Sequence, residues 1–179
     1  MTHGYSPVRD AISRLAANGV PTRQLMTAGF MCFGIAVPVY SGALRAAMPG
    51  HAWIAALTSG LAIVGVALAP LDHSPALDRL HAVAAGIGYA GLASTSLLSA
   101  RQFARFGATK WARLGVVTGT VSAICLAVST AGTANGLFQR IGLTAGDVFL
   151  AASGVAIASG HFPNFETARA RAGATLPRR

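Results

Sequence analysis

The stretch LMTAGFMCFGIAVPVYSGAL, residues 25–44, decides the fold, because twenty residues pass without a charged side chain. A helix needs about 20 apolar residues to cross the hydrocarbon core of a bilayer. A second stretch of the same length, AWIAALTSGLAIVGVALAPL, follows at residues 52–71. Apolar runs of this length and closeness are typical of membrane-spanning helices rather than of core helices in a soluble bundle.

The pattern repeats along the chain and predicts spans at about 25–46, 52–71, 80–100, 113–133 and 141–161. Charged residues make up only 11% of the 179 residues, whereas a soluble domain usually carries about 25%. Five acidic residues cannot supply the charged shell of a soluble protein. We therefore predict an all-α fold, an integral membrane bundle of five transmembrane helices preceded by a short interfacial amphipathic helix.

That amphipathic helix is predicted at about residues 7–17, within an extracytoplasmic segment at 1–24. Ser6 can cap it, Pro7 suits its first position, and Asn18-Gly19 ends it. Apolar side chains would then share one face, which would lie in the bilayer interface. At the other terminus, residues 162–179 are predicted to form a basic, disordered cytoplasmic tail.

Lysine and arginine set the predicted orientation. Five spans place the N-terminus and the second and fourth loops on one side, with five arginines, against nine basic residues on the other. The richer side is predicted to be cytoplasmic, which leaves the N-terminus outside the cytoplasmic membrane. The formal charge of +9 is then mainly a signal of topology, and nucleic acid is not expected as a partner.

The polar residues that could carry chemistry cluster toward the predicted outer side. All four aspartates fall there, and only Glu166 falls on the inner side. Asp78 and His81 would share a face of the third helix at i and i+3. Gln139 could join them. We call the candidate set the polar cluster, and it comprises Asp10, Ser13, Asp72, Asp78, His81, Arg140 and Asp147.

Two interpretations of the polar cluster stay open. Asp78 and His81 could hold a zinc ion whose bound water attacks an ester or amide. Alternatively the cluster is structural: Asp78 suits the first turn of a helix, and Asp72 could pair with Arg79 or Arg140. If the cluster is structural, the protein needs no cofactor, and none is predicted. Haem is not expected, because His81 and His161 fall at opposite ends of their spans.

Glycine and alanine are frequent along the predicted spans. Gly115 and Gly119 form a GxxxG pair, as do Gly142 and Gly146. Such pairs indicate tight helix packing, and they could also serve a protein partner or a homo-oligomer. A small transporter is a further alternative, although the predicted spans show neither clear repeats nor a charge at mid-membrane. Membrane lipids are the partners expected in every case.

The stretch GYSPVRDAIS at residues 4–13, continuing to Gly19-Val20-Pro21, resembles the signature of an uncharacterised family of bacterial membrane proteins, domain of unknown function 998, common in actinobacteria. Residues 69–72 leading to His81 fit the same pattern, as do residues 135–140. The resemblance implies a six-span bundle whose first helix precedes this stretch. The chain is therefore expected to lack that helix.

The family resemblance implies no activity. From the residues we expect a multi-pass inner-membrane protein that serves as an accessory or structural component of the membrane or envelope, more readily than an enzyme. The alternatives are a metal-dependent intramembrane hydrolase acting on lipid or amide at the outer face, and a small transporter-like protein.

Overall fold

The computed structural model describes residues 4–165, and the regular elements there are all helices, which confirms the all-α part of the predicted fold. No strand occurs within those residues. A 3-10 helix at Ile12–Ala16 precedes five α-helices. In chain order these are α1 at Arg23–Ala47, α2 at Ala52–Leu68, α3 at Pro75–Arg105, α4 at Thr109–Val128 and α5 at Asn135–Ala158.

Four of the five helices, α1, α3, α4 and α5, are long and apolar enough to cross a membrane. Helix α2 is equally apolar in character but has 17 residues, which corresponds to a length of about 26 Å. The chain is thus a membrane protein with at least four helices of spanning length.

The helices begin and end for local reasons that shift them by a few residues from the predicted spans. Helix α2 stops at Leu68 because the residue before Pro70 disfavours helical backbone. Helix α3 starts at Pro75, five residues earlier than predicted, because the Ser74 hydroxyl accepts a hydrogen bond from the Leu77 amide at 3.3 Å. Helix α5 starts at Asn135, six residues earlier than predicted.

The N-terminal segment contains less helix than the amphipathic pattern predicts. Residues 7–10 form a turn, and only Ile12–Ala16 is helical, as a single 3-10 stretch. Ser6 does not act as a helix cap; its amide donates to the Asp10 carboxylate at 2.6 Å, and its carbonyl accepts from the Asp10 amide at 2.8 Å. This pair of bonds closes a turn and thereby takes the place of the first helical turn.

Consecutive helices pack side by side as antiparallel neighbours, and α5 also touches α3 and α1. Glycines allow the closest approaches. A Cβ on Gly60 would meet the ring of Pro38, and one on Gly91 would lie 2.9 Å from the Ala55 carbonyl oxygen. The glycines of both predicted GxxxG pairs face neighbouring helices within the bundle. Tight intramolecular packing therefore accounts for them.

The bundle has two ends of different composition. We call the first the segment end; it comprises residues 4–22, 69–74 and 129–134. We call the second the aromatic end; it comprises residues 48–51, 106–108 and 159–165, together with the helix termini that they join. Most of the polar cluster lies at the segment end.

Candidate functional site

The candidate site at the segment end is built around the N-terminal segment, which lies across the start of α5. The Leu137 amide donates to the Val8 carbonyl at 3.0 Å. A Cβ on Gly136 would collide with the carbonyl oxygens of Pro7 and Asp10, so only glycine allows this approach. The segment is therefore seated directly against the backbone of the first turn of α5.

Arg140, one turn further along α5, fixes the segment with its guanidinium group. One nitrogen, Nη1, donates to the carbonyls of Pro7 at 2.7 Å and Gly136 at 2.9 Å, with a longer contact of 3.2 Å to that of Asp10. The other nitrogen, Nη2, donates to the Tyr5 hydroxyl, and the Tyr5 ring lies 5.8 Å from the guanidinium carbon. Each of these contacts ties Arg140 to the segment or to its own helix.

Gln139 completes the seat from the buried side of α5. Its Oε1 accepts a hydrogen bond from the Ile12 amide at 2.7 Å, and its Nε2 donates to the Tyr89 hydroxyl. Gln139 is 5% exposed, so these bonds form in a desolvated position where an unpaired amide would be costly. The 3-10 helix is thus connected to α5 and, through Tyr89, to α3.

A second group of contacts joins the segment to the turn between α2 and α3. The Arg14 guanidinium donates through Nη1 to both carboxylate oxygens of Asp72, at 2.9 and 2.8 Å. Asp78 accepts from the Asp72 amide at 2.9 Å, and the Asn18 amide donates to the Leu71 carbonyl at 2.8 Å. Asp72 adopts a left-handed φ of 60°, which this ring of bonds supports. The predicted pairing of Asp72 with Arg79 or Arg140 is wrong, because Arg14 occupies that position.

His81 lies below this turn, where it is 5% exposed. Its Nδ1 is 2.7 Å from the Ala69 carbonyl oxygen. Because a carbonyl oxygen can only accept, Nδ1 carries a proton, and in the neutral ring Nε2 is then the bare nitrogen. Nε2 is buried and has no hydrogen-bond partner among residues 4–165. A metal-binding histidine usually donates the N–H of one ring nitrogen to a carbonyl or carboxylate and binds the metal through the other nitrogen. His81 has the first of these contacts, but one ligand does not make a metal site.

Asp147 is not brought together with the rest of the polar cluster. The prediction placed it near the outer face because α5 was expected to begin at residue 141. Since α5 begins at Asn135, Asp147 lies near the middle of the helix, about 10 Å along the axis from Arg140. Its Oδ1 is buried without a hydrogen-bond partner among the described residues.

An open cavity of ≈ 510 Å³ lies between the segment and the loop before α3. Asp10 and Asp72 are the two members of the polar cluster that line it, and their carboxylates bond to the Ser6 amide and to Arg14. Ser13 is buried within the 3-10 helix. Within residues 4–165, no three side chains of the His, Cys, Asp or Glu type are grouped so as to hold a metal ion.

Sequence reasoning found six of the residues that meet at the segment end and missed three. It named Asp10, Asp72, Asp78, His81 and Arg140, and it named Gln139 as a possible addition. The three that it did not include among the candidates are Tyr5, Arg14 and Tyr89. No local pattern distinguishes these three, because their partners are remote in the sequence: Tyr5–Arg140, Arg14–Asp72 and Tyr89–Gln139.

Comparison with known proteins identifies the chain at the level of family. The model of one protein family, described as "Protein of unknown function (DUF998)", matches residues 1–156. Neither the curated proteins nor the solved structures gave a match.

Proposed function

Since the chain belongs to the DUF998 family, whose description assigns no activity, its role must be argued from its side chains, and we propose a non-enzymatic one. The chain would be a five-span protein of the cytoplasmic membrane that serves as an accessory or structural component of the membrane or envelope. It would act by presenting a rigidly seated N-terminal segment at the membrane surface.

One observation supports this proposal above the others. At the segment end, most of the polar groups that could perform chemistry bond instead to backbone atoms of the segment or of the adjoining turn. Arg140 and Gln139 hold residues 5–12, and Asp78 and the Nδ1 of His81 hold residues 69–72. A network used in this way stabilises an irregular segment, as buried backbone groups require partners.

The topology is part of the proposal. If α2 spans the membrane together with the four longer helices, the chain has five spans. The N-terminal segment and residues 162–179 would then lie on opposite sides of the membrane. Each end of the described bundle carries five basic residues. The four arginines at positions 169, 171, 178 and 179 lie outside the described residues and, in this topology, would add to the side of the aromatic end. The aromatic end would therefore face the cytoplasm. Labelling in intact cells of single cysteines at Asn18 and at the exposed Thr109, in a chain whose Cys32 and Cys125 are replaced by alanine, tests this, with reaction expected only at position 18.

Metal analysis separates the accessory role from the alternative of a metal-dependent hydrolase. We expect the purified protein to retain less than one zinc per ten chains, and His81→Asn to leave that value unchanged. Asn keeps a donor for the Ala69 carbonyl but removes the bare ring nitrogen. One zinc per chain, lost in the His81 variant and kept in a matched His51→Asn control, would contradict the accessory role.

A protein partner is the positive test of the accessory role. Chemical crosslinking in membranes, followed by purification, should recover one protein in a fixed ratio to the chain. Gly136→Ala should reduce that recovery if the partner recognises the seated segment, because the substitution displaces it. Gly42→Ala, where a Cβ meets no atom within 4 Å, serves as the matched control. Equal recovery in both variants would place the partner elsewhere.

A transporter-like role is the second candidate, and Asp147 is the observation that favours it. An ionisable side chain in the middle of a membrane helix is more often functional than structural. Its buried Oδ1, without a partner among the described residues, could accept a hydrogen bond from a passing ligand or coordinate a cation. Loss of a cellular phenotype in Asp147→Asn, with thermal stability unchanged, would favour this role over the accessory one.

A further inference from the structure

The aromatic end contains a pocket built by the chain that follows α5. After Ala158 the chain returns Phe162 and Phe165 to the end of α3, where Phe103 lies 5.5 and 5.8 Å from their ring centroids. Phe165 is buried there. A cavity of ≈ 480 Å³ remains between this returning chain and the end of α1; it is lined by residues 45–49 and 162–165.

Arg45 supplies the charge at the edge of this pocket. It lies in the last turn of α1, and its guanidinium carbon is 4.8 Å from the centre of the Trp53 ring. Stacking on an indole face orients a guanidinium while leaving the N–H donors on its edge available. Arg45 is exposed, and no described carboxylate forms an ion pair with it.

The surroundings of Arg45 favour an anion. The other basic residues at this end are also exposed, and they are Arg101, Arg105, Lys110 and Arg113. The four acidic residues within 4–165 lie at the segment end or, for Asp147, near the middle of α5. Glu166 lies outside the described residues. Five cations without a described acidic neighbour create a positive potential that attracts anions.

The depth of the pocket favours a lipid over a free anion. Arg45 lies at the end of a helix of spanning length, which is the level of the phosphate groups in a bilayer. Trp53 is of the residue type that concentrates in this layer. The lining beside Arg45 includes Met48, Pro49 and Phe162, which offer apolar contact to the glycerol and upper acyl carbons of a lipid.

We propose that this pocket binds the headgroup of an anionic phospholipid, with Arg45 as the residue that pairs with a phosphate whose charge no headgroup cation neutralises. The guanidinium edge donates two N–H groups to phosphate oxygens, a geometry that suits arginine better than lysine. Trp53 acts as a positioning residue by holding the guanidinium plane. The site would exist whether the chain is an accessory protein, an enzyme or a transporter.

Lipid titration of the purified full chain tests the proposal. Native mass spectrometry would compare binding of phosphatidylglycerol and phosphatidylcholine to the wild-type chain and to Arg45→Gln. We expect phosphatidylglycerol to bind at least tenfold more tightly than phosphatidylcholine, and Arg45→Gln to remove most of that preference. Arg113→Gln is the matched control, since it loses the same charge at the same end outside the pocket lining; its affinity should change by less than twofold.

Three results would overturn the proposal. Equal losses of phosphatidylglycerol affinity in Arg45→Gln and Arg113→Gln would show that the lipid responds to the total charge at this end and that there is no specific site. Equal binding of the two lipids would show that the charge of the headgroup is not recognised. Displacement of phosphatidylglycerol by millimolar inorganic phosphate would show a site for free phosphate. If Arg45→Gln does not fold, Trp53→Leu should lower phosphatidylglycerol affinity by at least threefold, and an unchanged affinity would count equally against the proposal.

Discussion

The two ends of the bundle are held together by different kinds of contact. At the segment end, an irregular chain of residues 4–22 is seated by hydrogen bonds to Gln139, Arg140 and Asp72. At the aromatic end, residues 159–165 are held by ring packing among Phe103, Trp111 and the returning chain. Hydrogen bonds orient the chain but add only a modest net amount to the free energy of unfolding. Buried aromatic rings add more to it per residue. The ends should therefore respond differently to substitution.

The largest effect is expected from Phe103→Ala at the aromatic end. Phe103 is fully buried and contacts Trp111, Phe162 and Phe165. Its truncation should lower the free energy of unfolding by about 3–5 kcal/mol because a cavity replaces the ring. Thermal unfolding in detergent micelles measures the loss. Leu61→Ala, at a 58% exposed position, is the control, and a comparable loss there would remove the contrast between buried and lipid-facing positions.

Gly136→Ala should produce the next largest effect, and it acts on the segment end. The new methyl group would press on the carbonyl oxygens of Pro7 and Asp10, which cannot rotate away as a side chain could. We expect the free energy of unfolding to fall by about 3 kcal/mol, at the upper end of typical overpacking costs. Limited proteolysis should then cut within residues 4–22 faster than in the wild-type chain.

Gly42→Ala gives the matched control with the opposite sign. Gly42 lies inside α1, and no heavy atom is within 4 Å of where its Cβ would stand. Replacing a glycine inside a helix by alanine should raise the free energy of unfolding by up to about 1 kcal/mol. If Gly42→Ala and Gly136→Ala lowered the free energy of unfolding equally, the close packing of the segment on α5 would not explain the loss in Gly136→Ala.

Gln139→Leu should loosen the segment without disturbing the aromatic end. The substitution removes the acceptor of the Ile12 amide and the donor to the Tyr89 hydroxyl. The cost should be about 1–2 kcal/mol, because a partly buried donor is left unpaired. Amide hydrogen exchange should accelerate at residues 12–16 and stay unchanged at Phe103. Faster exchange at both places would show global rather than local loosening, while Gln24→Leu at an exposed position should change neither.

The sequence predicts the helices of this chain better than it predicts their ends. The first apolar stretch gave a span at 25–46, and α1 runs over Arg23–Ala47. Periodicity and length are local properties, so they carry this information directly. The start of α3 was predicted five residues too late, although Ser74-Pro75 is a local capping signal. The start of α5 was predicted six residues too late, at residue 141; the pair Asn135-Gly136 is typical of a turn, but here it begins a helix that the segment covers.

The sequence predicts some of the residues of the candidate site, but it does not predict which residues they contact. The aspartates, His81 and Arg140 stand out because ionisable residues are rare in this chain. Their partners do not stand out, since Gln139 bonds to a backbone amide 127 positions away and Arg14 to a carboxylate 58 positions away. Such pairs depend on how the helices are arranged, which periodicity does not encode. The depth of Asp147 was wrong for a related reason, as it followed from the start assigned to α5.

The smallest change in the free energy of unfolding is expected from breaking the exposed ion pair between Arg14 and Asp72. This pair can be compared with the buried hydrogen bonds of Gln139 at the same end. Both side chains are about half exposed, at 51% and 53%, so solvent screens their attraction. Asp72→Asn should lower the free energy of unfolding by less than about 1 kcal/mol. Asn tolerates the left-handed backbone at this position, so the variant isolates the charge.

Salt provides the discriminating measurement for this pair. Raising the salt concentration to about 1 M shortens the screening length to about 3 Å. The difference in stability between Asp72→Asn and the wild-type chain should therefore shrink, whereas that between Gln139→Leu and the wild-type chain should persist. A salt-independent loss above 2 kcal/mol in Asp72→Asn would contradict this ranking. It would show that the bidentate contact, and not the buried bonds of Gln139, is what seats the N-terminal segment.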